Sequence, residues 1–268
     1  MRMQRSNNVL VRIAMLMVVF AMAGGSLFAS VVDNFNAYPG SAGNGWSGEW
    51  TASAGSISGS VASSSELNGN GSYLRGTMEP TGTQEAFLSR TWDNAAVNKS
   101  GTITISWDWR LDAALTSDTR IQFNEGGAAN SSFIIVAYGP SVGGGLPGNE
   151  FMFYNGTQNS AWNNANLTNS GMQIVAGTVY TFTVNLDPST KTWTATIFNG
   201  TDSVTSGTLG FRGDVSTVLG TLNFGAQARN THKYEFSMDN LTVAIPEPAS
   251  IGLFLISGGF IFLMRHVR

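Results

Sequence analysis

The sequence predicts an all-β protein: an antiparallel two-sheet sandwich of jelly-roll type, flanked by an N-terminal signal helix and a C-terminal hydrophobic helix. Three observations lead there. From Val31 to Ala244 the chain is rich in Gly, Ser, Thr and Asn, with aromatic and β-branched residues set in short alternating runs between turn signals. Helical periodicity is absent over the same stretch. Each end carries an apolar run beside arginines, a pattern that belongs to targeting and not to a globular core.

The elements follow in order. Arg2, Arg5 and Arg12 precede the apolar run Ile13 to Ala23 and the small-residue stretch Gly24 to Ala29, the layout of a secretory signal. Cleavage is expected after Ala29, with Ala23 as the alternative, so residues 1–29 form a signal peptide read by signal peptidase. Residues 30–244 form one β-sandwich domain. Its clearest strand is Thr102–Trp109, with Ile103, Ile105, Trp107 and Trp109 on one face and polar residues on the other. A hairpin follows: Tyr180, Phe182, Val184 and Leu186 alternate, Asp187-Pro188-Ser189-Thr190 turns, and Trp193, Ala195 and Ile197 return. Phe133–Tyr138 and Phe151–Tyr154 are apolar on both faces and are expected to be central. Long loops are expected at Pro140–Gly148 and Gly156–Asn169. In the last strand Tyr234, Phe236 and Met238 alternate, then Leu241 and Val243 continue out of phase, which a bulge at Asp239-Asn240 would reconcile.

The closing segment, 245–268, places Pro246-Glu247-Pro248 before the apolar run Ile251 to Met264 and the basic end Arg265-His266-Val267-Arg268. Two prolines two apart cannot join a helix or a central strand. The apolar run would be about 21 Å long as a helix, against a hydrocarbon core of roughly 30 Å. That shortness suits a processed signal better than a lasting span. The order of motif, apolar run and basic end resembles the PEP-CTERM sorting tail of Gram-negative bacteria. The resemblance implies an exosortase as processing partner, with Pro246, Glu247 and Pro248 as its motif and a membrane-inserted precursor. It also implies a mature protein at the cell surface or in the extracellular matrix. A permanent anchor is the competing reading.

Composition excludes several functions. Every acidic residue lies between Asp33 and Glu247, 17 in all. Only nine of the 14 Lys+Arg lie there, so the exported part carries about −8. Such a surface argues against nucleic acid as a partner. There is no cysteine, hence no disulfide, thiol nucleophile or thiolate metal site. His232 is the single histidine of the exported part, and no Gly-x-Ser-x-Gly elbow accompanies it. Asp108 and Asp112 are close, but Arg110 lies between them, so they read as solvated strand-end charges and not as a glycosidase pair. Gly43-Asn44-Gly45-Trp46-Ser47-Gly48 has dinucleotide-motif spacing without the strand and helix that motif needs, so it reads as a turn.

A second resemblance rests on Asp33-Asn34-Phe35-Asn36-Ala37-Tyr38, Gly45-Trp46-Ser47-Gly48-Glu49-Trp50 and Met238-Asp239-Asn240-Leu241-Thr242-Val243. With the Tyr180–Ile197 hairpin, these look like laminin-G/concanavalin-like lectin domains. That resemblance implies a jelly roll whose first and last strands pair, often binding glycans and sometimes calcium. Asp33 and Asp239 are then candidate calcium ligands, or else bulge and turn residues; no other cofactor is expected. Trp46, Trp50 and Trp162 are candidates to stack on sugar rings. Trp162 stands out because its loop, Asn159 to Asn164, is otherwise polar, though it can also be read as a loop anchor. Trp107, Trp109 and Trp193 read as core. The functional expectation is a non-catalytic, lectin-like or structural surface protein that binds polysaccharide and is not an enzyme. The alternatives are a jelly-roll polysaccharide hydrolase or lyase, and a structural surface protein without a ligand.

Overall fold

The computed structural model describes residues 30–52, 56–63, 67, 71–79, 85–94, 97–115, 119–127, 129–140, 145–156, 161–228 and 234–244. The signal segment with Ala29, the Pro246-Glu247-Pro248 tail, both flanking helices and His232 lie outside the described residues. Among the described residues no helix is long and apolar enough to cross a membrane.

Among the described residues sixteen strands follow one another. They are β1 (Ser30–Asp33), β2 (Thr51–Ala52), β3 (Ser56–Ser63), β4 (Ser72–Glu79), β5 (Glu85–Thr91), β6 (Ile103–Leu111), β7 (Thr119–Glu125) and β8 (Phe133–Tyr138). Then come β9 (Glu150–Tyr154), β10 (Leu167–Gln173), β11 (Val179–Asp187), β12 (Thr192–Phe198), β13 (Ser203–Thr205), β14 (Leu209–Gly210), β15 (Thr221–Ala228) and β16 (Tyr234–Ala244). They build two antiparallel sheets. The first runs β13-β12-β11-β6-β16-β4-β3, with β1 beside β16 and β14 beside β12. The second runs β10-β9-β8-β7-β15-β5-β2.

Period-2 patterning places the core between them. Ile103, Ile105, Trp107, Trp109 and Leu111 of β6 are all buried, so this strand extends two residues past the sequence reading. Trp107 stacks on Phe182 of β11 at 4.8 Å and 2°, and meets Phe123 and Phe224 of the facing sheet edge-on. The β11–β12 hairpin forms in the expected register, Val184 opposite Ala195. Its turn is held by Asp187, whose Oδ1 accepts from Ser189 N at 3.0 Å.

The last strand is bulged where its parity switches. β16 pairs with β4 through Met238 and with β1 from Leu241, and its register on β6 shifts between Asp239 and Thr242. Asn240 absorbs the extra residue at φ 52, a left-handed value that Asn tolerates. The bulge is therefore the point at which the final strand exchanges one neighbour for another. The first and last strands pair along Ser30–Asp33 and Leu241–Ala244.

β8 and β9 are apolar on both sides because the second sheet carries a second, smaller core. Ile134, Val136, Met152 and Tyr154 point away from the sandwich interior and are buried beneath Leu146, Trp162 and Leu167. Tyr138 packs against the same cluster. Of the expected loop 156–169, the last part is instead β10, an edge strand recruited by pairing with β9 despite having no apolar alternation of its own.

Candidate functional site

The outer faces of the two sheets differ in kind. That of the second is roofed by the apolar cluster just described. That of the first is open and lined by hydrogen-bonding side chains, because the residues alternating with Ile103, Phe182 and Trp193 are threonine, serine, asparagine and aspartate. Strand registers bring these into rows. Thr205 opposes Thr196, Thr196 opposes Thr183, Thr183 opposes Ser106, and Ser106 opposes Thr242. One row of five hydroxyls thus crosses β13, β12, β11, β6 and β16, at strand spacings of about 4.8 Å. A second row holds Thr194, Asn185 and Thr104. Four of the five hydroxyl residues are half-exposed and Thr205 is exposed. Thr196 and Thr205 hydroxyls lie 3.0 Å apart, and Thr104 donates to Asn185 Oδ1 at 2.8 Å, so neighbours fix one another's rotamers.

Below these rows the face turns acidic. Asp108 and Asp239 oppose each other across β6 and β16 and are both buried. Asp108 accepts from Thr181 Oγ1 at 2.5 Å and from Asn240 Nδ2 at 2.8 Å. Burial pushes Asp239 above the ordinary aspartate range, the Asn240 N–H pulls it back, and the charges of Asp108 and Asp33 raise it further. Asp112 is held by Arg110 at 2.7 Å and by Ser237 Oγ at 2.7 Å. Asp108 and Asp112 are therefore not the solvated strand-end charges of the sequence reading. Asp108 sits mid-strand and both carboxylates are enclosed, because β6 continues through Leu111 and β16 lies against it.

The N-terminal candidates converge on a different task. Asp33 shares a register position with Leu241 and so faces the interior, whereas Asp239 is paired with Asp108 on the outer face. The two do not form a ligand pair. Asp33 instead makes a buried ion pair with Arg90 of β5, and its carboxylate accepts from Trp50 Nε1 at 2.7 Å and Phe35 N at 2.8 Å. Arg90 also donates to Gly48 O and Ser41 O, both at 3.1 Å, and lies 4.5 Å over the Trp46 ring. Burial draws Arg90 below the ordinary arginine value and Asp33 restores part of the difference. Among the described residues no group of three or more His, Cys, Asp or Glu could hold a metal.

Trp46 and Trp50 are 3% and 4% exposed, which corrects their assignment to sugar stacking. Trp50 is packed between Phe35 and Phe224. Both indoles belong to the knot that fastens the 34–50 loop over the sheets. The glycine-rich segment is a hairpin tip, Gly43 and Trp46 exchanging backbone bonds at 2.8 and 2.9 Å around Asn44 and Gly45, both at positive φ. Sequence reasoning missed Arg90, whose partner lies 57 residues away.

Trp162 is the candidate that reaches the surface. It stacks on Tyr154 at 4.5 Å and 15°, which anchors its loop to the second sheet. The loop is tied down further where Tyr154 Oη donates to Ala161 O at 3.1 Å and Trp162 Nε1 donates to Asn164 Oδ1 at 2.7 Å. Tyr154 fills one face of the indole. The guanidiniums of Arg120 and Arg212 lie over the ring at 5.2 and 5.5 Å.

No family model matches the chain, and no curated protein matches it in sequence. Solved structures do share its architecture. A protein of unknown function from Shewanella oneidensis MR-1 overlays with a TM-score of 0.51 at 13% identity, over 80% of this chain and 85% of that one. The cellulose-induced protein Cip1 overlays with a TM-score of 0.50 at 12% identity, over 80% and 96%. Peanut lectin gives 0.45 at 17% identity, over 82% and 99%. At these identities what the first two share with this chain is the fold alone.

Proposed function

We propose that this chain is an exported, non-catalytic polysaccharide-binding protein of the cell surface or extracellular matrix of a Gram-negative bacterium. Its precursor is handled by signal peptidase after Ala29 and by exosortase at Pro246-Glu247-Pro248. The reading of the domain as a lectin-like jelly roll rests on one observation: the row Thr205–Thr196–Thr183–Ser106–Thr242 on the open face of the first sheet. An array of hydroxyls repeated at strand spacing, with Thr196 and Thr205 bonded to each other, offers donors and acceptors to successive hydroxyls of an extended sugar chain. The rows lose little side-chain freedom on binding, because β-branched threonines are stiff at χ1. The enclosed carboxylates beside the row are spent on protein donors, which suits holding a glycan better than cleaving one.

The double substitution Thr183→Val with Thr196→Val keeps the β-branched shape and removes two hydroxyls. At about 0.5–1.5 kcal/mol per hydrogen bond, retention on the preferred polysaccharide should weaken by roughly 5- to 150-fold. Unchanged retention refutes the site. New reducing ends or unsaturated products on incubation with the polysaccharide refute the non-catalytic reading.

A further inference from the structure

We propose that Phe198 is the stacking platform of the open face, and that the glycan held there is neutral and built of pyranose rings with equatorial hydroxyls, as in a β-linked glucan. The proposal rests on the reading of the hydroxyl row as a polysaccharide site, and it names the sugar class that the row takes. Phe198 is the last residue of β12 and alternates with the buried Ile197 and Ala195, so it faces outward with Thr196 and Thr194. It is 42% exposed, the one aromatic ring among the exposed large hydrophobic residues described. It belongs to neither apolar cluster. A lone surface hydrophobe needs no function. This one is set apart by its place in the register and by the chemistry around it.

Register sets Phe198 one row from the hydroxyls. Ser203 opposes Phe198, Phe198 opposes Thr181, Thr181 opposes Asp108, and Asp108 opposes Asp239. This row lies two residues along the strands from Thr205, Thr196, Thr183 and Ser106, about 6.6 Å away. The cross-strand neighbours of the ring, Ser203 and Thr181, are small, so it rises above them. Side chains stand roughly perpendicular to a sheet. A sugar ring in van der Waals contact with the phenyl, at ~4 Å, therefore hangs between the two rows with its rim toward Thr196 and Thr183. Equatorial hydroxyls lie on that rim and meet the threonines, while the C–H face meets the phenyl. An axial hydroxyl projects from a ring face, where the phenyl offers it no partner. The turn beyond β12 fixes the platform: Asn199 Oδ1 accepts from Thr201 N at 2.9 Å and Asp202 N at 2.7 Å, around Gly200 at φ 92.

The charge of the face selects a neutral sugar. Neither the hydroxyl row, nor Thr194–Asn185–Thr104 on one side of it, nor Ser203–Phe198–Thr181–Asp108–Asp239 on the other contains a lysine or arginine. The last of these ends in two carboxylates, and the exported part as a whole has 17 acids against nine bases. An acidic polysaccharide laid across these rows would meet like charge and no cation within them.

The test uses the full chain and three soluble polymers: hydroxyethylcellulose, carboxymethylcellulose and inulin. The first two share a β-linked glucan backbone and differ in charge, whereas inulin is neutral and built of furanose rings. Wild type should bind hydroxyethylcellulose more tightly than either of the others. Phe198→Ala should weaken that binding about tenfold, and Phe198→Leu, apolar but without a flat ring, should not restore it. Phe198→Trp should keep the affinity or raise it. The position is exposed, so all three variants should melt close to wild type. Hydroxyethylcellulose bound no tighter than inulin overturns the sugar class, and carboxymethylcellulose bound as tightly overturns its neutrality. Wild-type affinity in Phe198→Ala or Phe198→Leu overturns the platform. If Thr183→Val with Thr196→Val weakens binding and Phe198→Ala does not, this inference fails and the hydroxyl row stands. If neither weakens it, the polysaccharide site on this face fails with it.

Discussion

Glu125 ends β7 with its side chain fully enclosed, and it has three donors and a cation for company. Ser132 Oγ donates to Oε2 and Gly220 N to Oε1, both at 2.6 Å, the Thr221 N–H donates as well, and Lys99 acts on it through its charge. Burial outweighs these and pushes its pKa up to about 7. The unfolded chain titrates near 4.5, so between those values the native state binds the extra proton and stability falls as pH rises. The stabilising contribution is whole below pH 4.5 and gone above pH 7. Over some 2.5 pH units, at ~1.36 kcal/mol each, the loss is about 3 kcal/mol. Glu125→Gln removes the titration and keeps the geometry, Oε1 accepting from Gly220 and Nε2 donating to Ser132. Urea unfolding followed by tryptophan fluorescence at intervals from pH 4.5 to 8 should show wild type losing that much more stability than the variant. At pH 8 the variant should be the more stable of the two. Parallel profiles for the two proteins, or a Glu125 carboxyl that titrates in the ordinary range by NMR, would refute the reasoning.

Three further outcomes are expected. Asp33→Asn leaves Arg90 as an uncompensated buried cation and should cost about 3–5 kcal/mol, measured by thermal or urea melting. Gly76→Ala should destabilise by about 1–3 kcal/mol, because its Cβ would lie 2.3 Å from the Phe236 ring in a packed interior; a neutral result would show that the ring can retreat. Added calcium or a chelator should leave the melting midpoint where it is, since Asp33 is taken by Arg90 and faces away from Asp239; a rise of several degrees with calcium would contradict that.

What was legible in the sequence was whatever one strand displays by itself. β6 and the β11–β12 hairpin could be read because every second residue is large and apolar, and burial on one face demands that pattern. The bulge at Asp239-Asn240 was legible because two parities in one strand cannot both face inward without an extra residue. β10 was not, since Leu167–Gln173 owes its extended form to a ladder with β9 and carries no pattern of its own. Trp46 and Trp50 looked exposed because their neighbours are small and polar. The side chains that bury them, Arg90, Phe35 and Phe224, include partners up to 174 residues distant in sequence.

The same limit explains why the hydroxyl row stayed hidden while its members did not. Thr181-x-Thr183, Thr192-x-Thr194-x-Thr196 and Thr104-x-Ser106 are visible as alternating polar positions, and alternation alone gives them the bland meaning of a wetted face. What changes that meaning is register: a slip of one residue between β11 and β12 would send every threonine to the interior face, and a slip of two would break the row. Register here is fixed by the core side, by Phe182 opposite Ile197 and Trp107 opposite Phe182. Packing between the sheets therefore sets the lattice of hydroxyls outside them. It follows that repacking substitutions on the buried face, such as Val184→Ala, should disturb binding only to the extent that they loosen the hairpin. A core variant that retains full stability while losing polysaccharide retention would break that link between interior order and the surface array.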